Sequence, residues 1–209
     1  MKLAIFGASG RVGIQLVQQS LDAGNEVVAL VRNTSDMSIQ NDRLTLVQGD
    51  AMNQTDVEKV VQGADAVISV LGHRKDSPKD MQTVAIQNII TAMQKFGVKR
   101  LISLTGAGVE APQDKPKFSN HLIKFALKTM SGDVLRDAEQ HAEIIKNSHL
   151  DWVIVRGPML NDGPHTGKYR VGWVGVNTSA RISRADVADF TLKEVTDNTY
   201  LHQAPMISD

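Results

Sequence analysis

Between the strand-like run Lys2 to Phe6 and a segment where Ile14, Leu16, Val17 and Leu21 recur at helical spacing lies Gly7-Ala8-Ser9-Gly10-Arg11-Val12-Gly13. A strand, a glycine-rich turn and a helix in immediate succession constrain the chain to open with a βα unit. Such a unit presents backbone N–H groups and a positive helix terminus to a phosphate. Gly7 suits the tight turn, Gly10 the close approach of a phosphate, and Gly13 the close packing of helix on strand. The spacing is G-x-x-G-x-x-G, not the G-x-G-x-x-G of many dehydrogenases. The strand before it and the helix after it are the context that gives either spacing its meaning. A dinucleotide site containing Gly7, Ser9, Gly10, Arg11, Val12 and Gly13 is the expectation.

A second strand, Glu26 to Val31, ends in Arg32. An acidic residue at that strand end meets the ribose 2′-hydroxyl of NAD, whereas an arginine accommodates the 2′-phosphate of NADP. Arg11 in the turn can close on the same phosphate, because planar guanidinium groups bind phosphate through charge-assisted, often bidentate hydrogen bonds. NADP is therefore expected over NAD.

The rest of the chain continues the alternation. Leu44 to Gln48 reads as a third strand, followed by Gly49-Asp50-Ala51 and a helix opening at the capping-box pair Thr55 and Glu58. Ala66 to Leu71 is a fourth strand. A long helix carries the stripe Met81, Val84, Ala85, Asn88, Ile89, Ala92, Met93 and Phe96 and closes at Gly97. Leu101 to Leu104 and Trp152 to Val155 are strands five and six, with an insertion of about 108–132 and a helix of about Val134 to Lys146 between them. Ser183 and Asp186 form a second capping box. The fold expected is α/β, a doubly wound parallel sheet of Rossmann type, in a single domain over residues 1–209 with a helical insertion after strand five. At 209 residues, 42% of them hydrophobic, the chain is long enough for one large core.

Charge and cysteine content narrow the function. Lys and Arg total 23 and Asp and Glu 23, so no electrostatic case exists for nucleic acid or a membrane surface as partner. The absence of cysteine rules out disulfides, thiol catalysis and thiolate metal sites. His121, His149, His165 and His202 show no metal-ligand spacing with carboxylates, so no metal is expected. The N-terminal apolar run is too short for a signal-peptide core, and a cytoplasmic protein is the expectation.

Strand-end loops of a doubly wound sheet converge where the crossover direction reverses. Asp50, Ala51, Leu71, Gly72, His73, Arg74, Thr105 and Gly106 should accordingly line one crevice. Asp50 has two readings, acceptor for the adenine amino group or turn residue after a strand. Arg74 can add a phosphate contact, and His73 reads as a solvated side chain. Arg156 either anchors a loop or binds an anion.

The segments GASGRVG, Arg32, GDA at 49–51, VLGHRK at 70–75, LISLTGAG at 101–108 and SHLDWVIVRGPML at 148–160 resemble the atypical short-chain dehydrogenase/reductases. Within them the chain is most similar to the NAD(P)H-binding proteins related to flavin reductase/biliverdin-IXβ reductase, with the NmrA-like proteins beyond. DGPHTGKYRV (162–171) and RISRADVADF (181–190) extend the resemblance to the C-terminal region. It implies that the glycine-rich turn, Arg32, Asp50, Ala51, Gly72 and Arg74 hold NADP. It also implies that Gly157-Pro158-Met159 flanks the nicotinamide. Two departures stand out. Neither Tyr169 nor Tyr200 has a lysine four residues on, so the chain lacks the Tyr-x-x-x-Lys pair and that proton-exchange mechanism is not expected. Gly106 and Met159 stand where flavin/biliverdin reductases place a serine and a histidine, which puts those substrates in doubt.

Acid–base candidates are Thr105, at a strand end where it can meet substrate or close the strand, and His141. His141 follows Asp137 by four residues on a helix, giving either a charge-tuned imidazole or an exposed ion pair. In the insertion, Phe118, Leu122, Phe125, Ala126, Thr129 and Met130 form an apolar stripe that serves as substrate lid, core element or subunit contact. Two functions follow: an NADPH-dependent oxidoreductase reducing a small planar, apolar acceptor such as a flavin or quinone, or a non-catalytic NADP(H) sensor of the NmrA-like type. Either would act as a monomer or small homo-oligomer.

Overall fold

The computed structural model describes residues 1–116 and 132–209. The apolar stripe from Phe118 to Met130 lies outside them. Ten strands and five helices run β1 (Lys2–Phe6), α1 (Arg11–Asp22), β2 (Glu26–Val31), β3 (Leu44–Gln48), α2 (Gln54–Val61), β4 (Ala66–Ser69), α3 (Met81–Phe96), β5 (Arg100–Gly106), α4 (Gly132–Lys146), β6 (Asp151–Gly157), β7 (Met159–Asn161), β8 (Arg170–Gly172), β9 (Arg181–Ser183), α5 (Arg184–Lys193) and β10 (Met206–Ser208), among the described residues.

The main sheet has the order β3-β2-β1-β4-β5-β6-β10-β8, with β7 and β9 pairing separately. Every pair in it is parallel except β10 with β8, so the expected doubly wound parallel sheet is present. The strands read as near-continuous apolar runs because both faces are covered. On one face Ala4, Phe6, Val28, Leu30, Val67 and Leu101 pack with residues of α2, α3 and α4. On the other, Leu3, Ile5, Val27, Ala29, Ile68 and Ile102 pack with α1 and α5. From β1 the chain winds outward to β3, then returns to β4 and winds the other way. Successive crossovers therefore leave in opposite directions between β1 and β4, opening a crevice at their carboxyl ends.

Several expectations need correction. The fourth strand stops at Ser69, and α2 is capped by Asn53, whose side chain accepts from the Asp56 N–H, not by Thr55 with Glu58. The last two strands of the sheet, β10 and the edge strand β8, and the β7–β9 ribbon are not legible in the sequence, being three residues each and lacking a pattern of their own. Ser183 does cap α5. Asp186 reaches away from that cap, accepting from the backbone N–H groups of Thr166 and Gly167.

Arg156 proves to be an anchor. Fully buried, it donates to both Asp114 oxygens at 2.7 Å and to the carbonyls of Val109 and Ala204. Asp114 also accepts from Ala111 and Val174, so one ion pair ties β6, the loop after β5, the β8–β9 loop and the approach to β10 together. Burial acts to raise the Asp114 carboxyl, and these bonds outweigh it and hold it below the usual range. Removing one partner leaves a buried charge uncompensated. Asp114→Ala should cost about 3 kcal/mol or more in urea unfolding, with an unchanged far-ultraviolet spectrum in the folded state.

Candidate functional site

At the first turn the chain forms a cradle. Gly7 has φ +83°, and a Cβ there would meet the Val70 carbonyl at 2.8 Å, so the turn lies directly against the end of β4. Gly10 is the N-cap of α1, without any side-chain cap, and no acidic residue occupies the first turn. The first amides of α1 therefore keep their hydrogen-bonding capacity and their share of the helix dipole for an external anion. Gly13 does not line the cavity; a Cβ on it would lie 2.1 Å from the Gly7 carbonyl oxygen, so its role is to let the helix start against the turn.

A cavity of about 740 Å³ runs from this cradle across the carboxyl ends of the strands. One lobe is lined by Gly7, Ser9, Gly10, Arg11, Val12, Arg32, Asp50 and Ala51. Leu71, Gly72 and Arg74 line it from the loop after β4, and Thr105 and Pro158 from the ends of β5 and β6. Apart from Gly13, His141 and Met159, every residue expected to contact the nucleotide or substrate thus borders one space. The side chains of Arg11, Arg32 and Arg74 are exposed and pair with no described residue. Asp50 serves as a turn residue, its Oδ1 accepting from the Met52 N–H at 2.9 Å, while still bordering the cavity.

The second lobe is apolar, formed by Met81, Val109, Val134, Leu135, Ala138 and Leu160. Its polar groups are few. Thr105 is buried at the end of β5 and its Oγ1 has no hydrogen-bond partner. Gln82 donates to the Leu71 carbonyl, which holds the loop after β4. His73 lines the wall, and its Nε2 lies 2.7 Å from Asp137 Oδ2. Asp137 also accepts from the backbone N–H groups of Gln82 and Thr83, so this carboxylate from α4 caps the N-terminus of α3. Burial alone would raise the Asp137 carboxyl; the bonds from Thr83, Gln82 and His73 hold it below the ordinary range.

These contacts correct two expectations. His73 is not a solvated side chain but the partner of a buried aspartate. His141 neither pairs with Asp137 by hydrogen bond nor borders the cavity. It is buried behind β5, with Nε2 3.0 Å from Ser103 Oγ and Nδ1 unpartnered. Burial, only partly opposed by the Asp137 charge, pulls its pKa down to about 4. A buried neutral imidazole has no route to substrate. Arg184, not among the residues expected at the site, borders the cavity and donates to Asp162 at 2.6 Å. Nothing local in the sequence marks it, because β9 brings it there.

Tyr169 does meet a lysine, Lys193, at 3.2 Å. Its hydroxyl donates to Asp189 at 2.6 Å, however, and burial together with that carboxylate pushes its pKa above the ordinary tyrosine range. A catalytic tyrosine needs the opposite shift, and neither residue borders the cavity. Among the described residues no cluster of His, Asp and Glu could hold a metal, and no helix is long and apolar enough to cross a membrane.

A family model described as NAD(P)H-binding matches residues 7–198. The uncharacterized protein YwnB of Bacillus subtilis (strain 168) is 27% identical over 93% of this chain and 92% of its own. Among solved structures, the oxidoreductase ylbE from Lactococcus lactis superposes with a TM-score of 0.83 at 22% identity, covering 100% of this chain and 91% of that one. A short-chain dehydrogenase/reductase from Veillonella parvula in complex with NADP gives 0.81 at 19% identity, covering 100% and 94%. These likenesses are likenesses of fold.

His141 generates a prediction about acid stability. The unfolded imidazole takes up a proton below about 6.5, while the folded one does so only near 4. Between those values the unfolded state binds more protons, so stability is full above 6.5 and falls as pH drops toward 4. His141→Asn should lack that component: its stability difference from the wild type should shrink steadily from pH 7 to pH 4 in denaturant titrations.

Proposed function

The chain belongs to the NAD(P)H-binding family, and from this premise we propose that it is an NADPH-dependent oxidoreductase delivering hydride to a small planar acceptor. The observation that carries the reading is one cavity lined both by an uncapped helix terminus with three arginines unpaired among the described residues and by apolar side chains of α3 and α4. A cavity of this kind suits a ligand with an anionic and a flat apolar end.

The residues fit a dinucleotide. The N–H of Gly10 is used within the turn, donating to the Gly7 carbonyl at 3.0 Å, so the amides of Arg11 and Val12 would hold the pyrophosphate, and Arg32 with Arg11 the 2′-phosphate. Asp50 and Ala51 would face the adenine, and Leu71, Gly72 and Arg74 the ribose and phosphate between. Thr105 and Pro158 would border the nicotinamide. When bound, the cofactor supplies hydride, the difficult part of the chemistry. The chain's own residues bind, orient and exclude water. An apolar second lobe exceeds what nucleotide sensing alone requires, which favours a reductase over the sensor alternative.

Loss of reduced-nicotinamide absorbance with flavins, quinones and aldehydes should show turnover favouring NADPH over NADH. Arg32→Ala should weaken NADPH binding about 10- to 100-fold, the worth of a charge-assisted contact, and leave NADH binding nearly unaffected. Binding of NADPH without turnover of any acceptor would overturn the reductase in favour of the sensor. Equal loss for both nucleotides would remove Arg32 from the 2′-phosphate.

A further inference from the structure

The loop after β4 places an imidazole in the wall of the cavity. His73 borders the cavity with its side chain 11% exposed, and Nε2 is committed to Asp137 at 2.7 Å. An ionised carboxylate can only accept, so Nε2 carries the hydrogen. Nδ1 has no partner among the described residues and is not among the atoms sealed from solvent. Asp137 is fixed in turn by two backbone N–H groups of α3, from Gln82 at 2.8 Å and Thr83 at 2.9 Å. The result is an imidazole in the cavity wall, held in one orientation by a buried carboxylate and with Nδ1 uncommitted among the described residues. A residue needed only to brace the loop would not require an uncommitted nitrogen. Loop bracing is already supplied by Gln82, which holds the Leu71 carbonyl at 2.9 Å.

Resting on the reductase reading, we infer that His73 binds the acceptor through its oxygen and protonates it, which makes the acceptor a carbonyl compound such as a quinone or conjugated ketone or aldehyde. A bound reduced nicotinamide would supply the hydride that bonds to the carbonyl carbon, so that the C=O π pair moves onto the oxygen at His73. The Nδ1–H bond breaks as O–H forms, leaving alcohol, oxidised nicotinamide and neutral imidazole, which regains a proton from water. Asp137 touches no reactant and acts by positioning the ring and stabilising its charge. Met81, Val134, Leu135 and Ala138 would cover the flat apolar part of the acceptor. A flavin accepts hydride at nitrogen and has no need of this donor.

Charged groups on the elements around His73 are Asp137 on α4, the exposed Arg74, Lys75 and Asp76 on its own loop, and the Lys79–Asp133 pair at 2.7 Å across the starts of α3 and α4. Among the described residues, only Asp137 hydrogen-bonds the ring.

The test begins with the wild type, NADPH and three acceptors: phenanthrenequinone, cinnamaldehyde and FMN. Turnover of either carbonyl probe is expected, declining as pH rises and the imidazolium is lost. His73→Gln should still bind NADPH, lower cinnamaldehyde turnover at least about 100-fold and lose that pH limb. His73→Ala should be restored in part by free imidazole. Independently of turnover, NMR of the His73 ring nitrogens in the nucleotide-free protein should show Nδ1, not Nε2, shifting on addition of phenanthrenequinone. This last measurement uses the unaltered chain and holds even where a variant fails to fold. An unmoved Nδ1, or cinnamaldehyde turnover surviving in His73→Gln, overturns the inference while leaving the reductase intact. Wild-type reduction of FMN alone does the same, whereas NADPH binding without any turnover overturns both.

Discussion

A methyl group at position 13 would lie 2.1 Å from the Gly7 carbonyl oxygen and 2.6 Å from that of Ala8. The absence of that methyl lets α1 begin immediately against the turn that follows β1. The turn in turn lies flush against the end of β4, because Gly7 has a positive φ and no Cβ to strike Val70. These two contacts aim the N-terminus of α1 along the crevice between β1 and β4. Everything else in the nucleotide lobe is placed relative to that axis: Arg32 from β2, Asp50 after β3 and Gly72 after β4 arrive from strands whose register with β1 is set by the sheet.

The two helix N-termini at the cavity are treated differently. The start of α1 has no capping side chain and no nearby carboxylate, leaving its positive end for a ligand. The start of α3 is neutralised by Asp137, which reaches across from α4. One carboxylate thus closes a second anion site and orients the imidazole beside it. At the far edge, Arg156 and Asp114 brace the loop after β5 against β6 and the last strands, and so hold the wall containing Val109.

Histidines show where reading the sequence succeeds and where it fails. Asp137 and His141 lie four apart on a helix, and that spacing makes them neighbours, but neighbours on a helix need not bond. Asp137 finds better donors in the two amides of α3 and in His73, 64 residues before it. His141 is left to Ser103 and burial. Gly72 and His73 sit at a strand end predicted to border the site, yet the partner that turns His73 from a loop residue into an oriented one is invisible in the linear order. The Thr55–Glu58 pair fails for a smaller reason: Asn53 two residues earlier is an equally good cap, and its side chain captures the Asp56 N–H.

The sequence by itself determined the βα opening, the alternation of apolar strands and amphipathic helices, and hence a doubly wound sheet whose strand ends carry the candidate nucleotide contacts. Those features are local: glycine at fixed offsets, periodicity within one element, and residue type at a strand terminus. Tertiary structure alone decided what depends on distant groups sharing a space. It buried His141, paired His73 with Asp137, turned Arg156 inward to Asp114 and brought Arg184 to the cavity. It also placed β8 and β10, three-residue strands that gain their hydrogen bonds only from a sheet edge formed by the rest of the chain. Protonation and orientation follow from burial and from partners far along the chain, and neither is a property of a residue and its sequence neighbours.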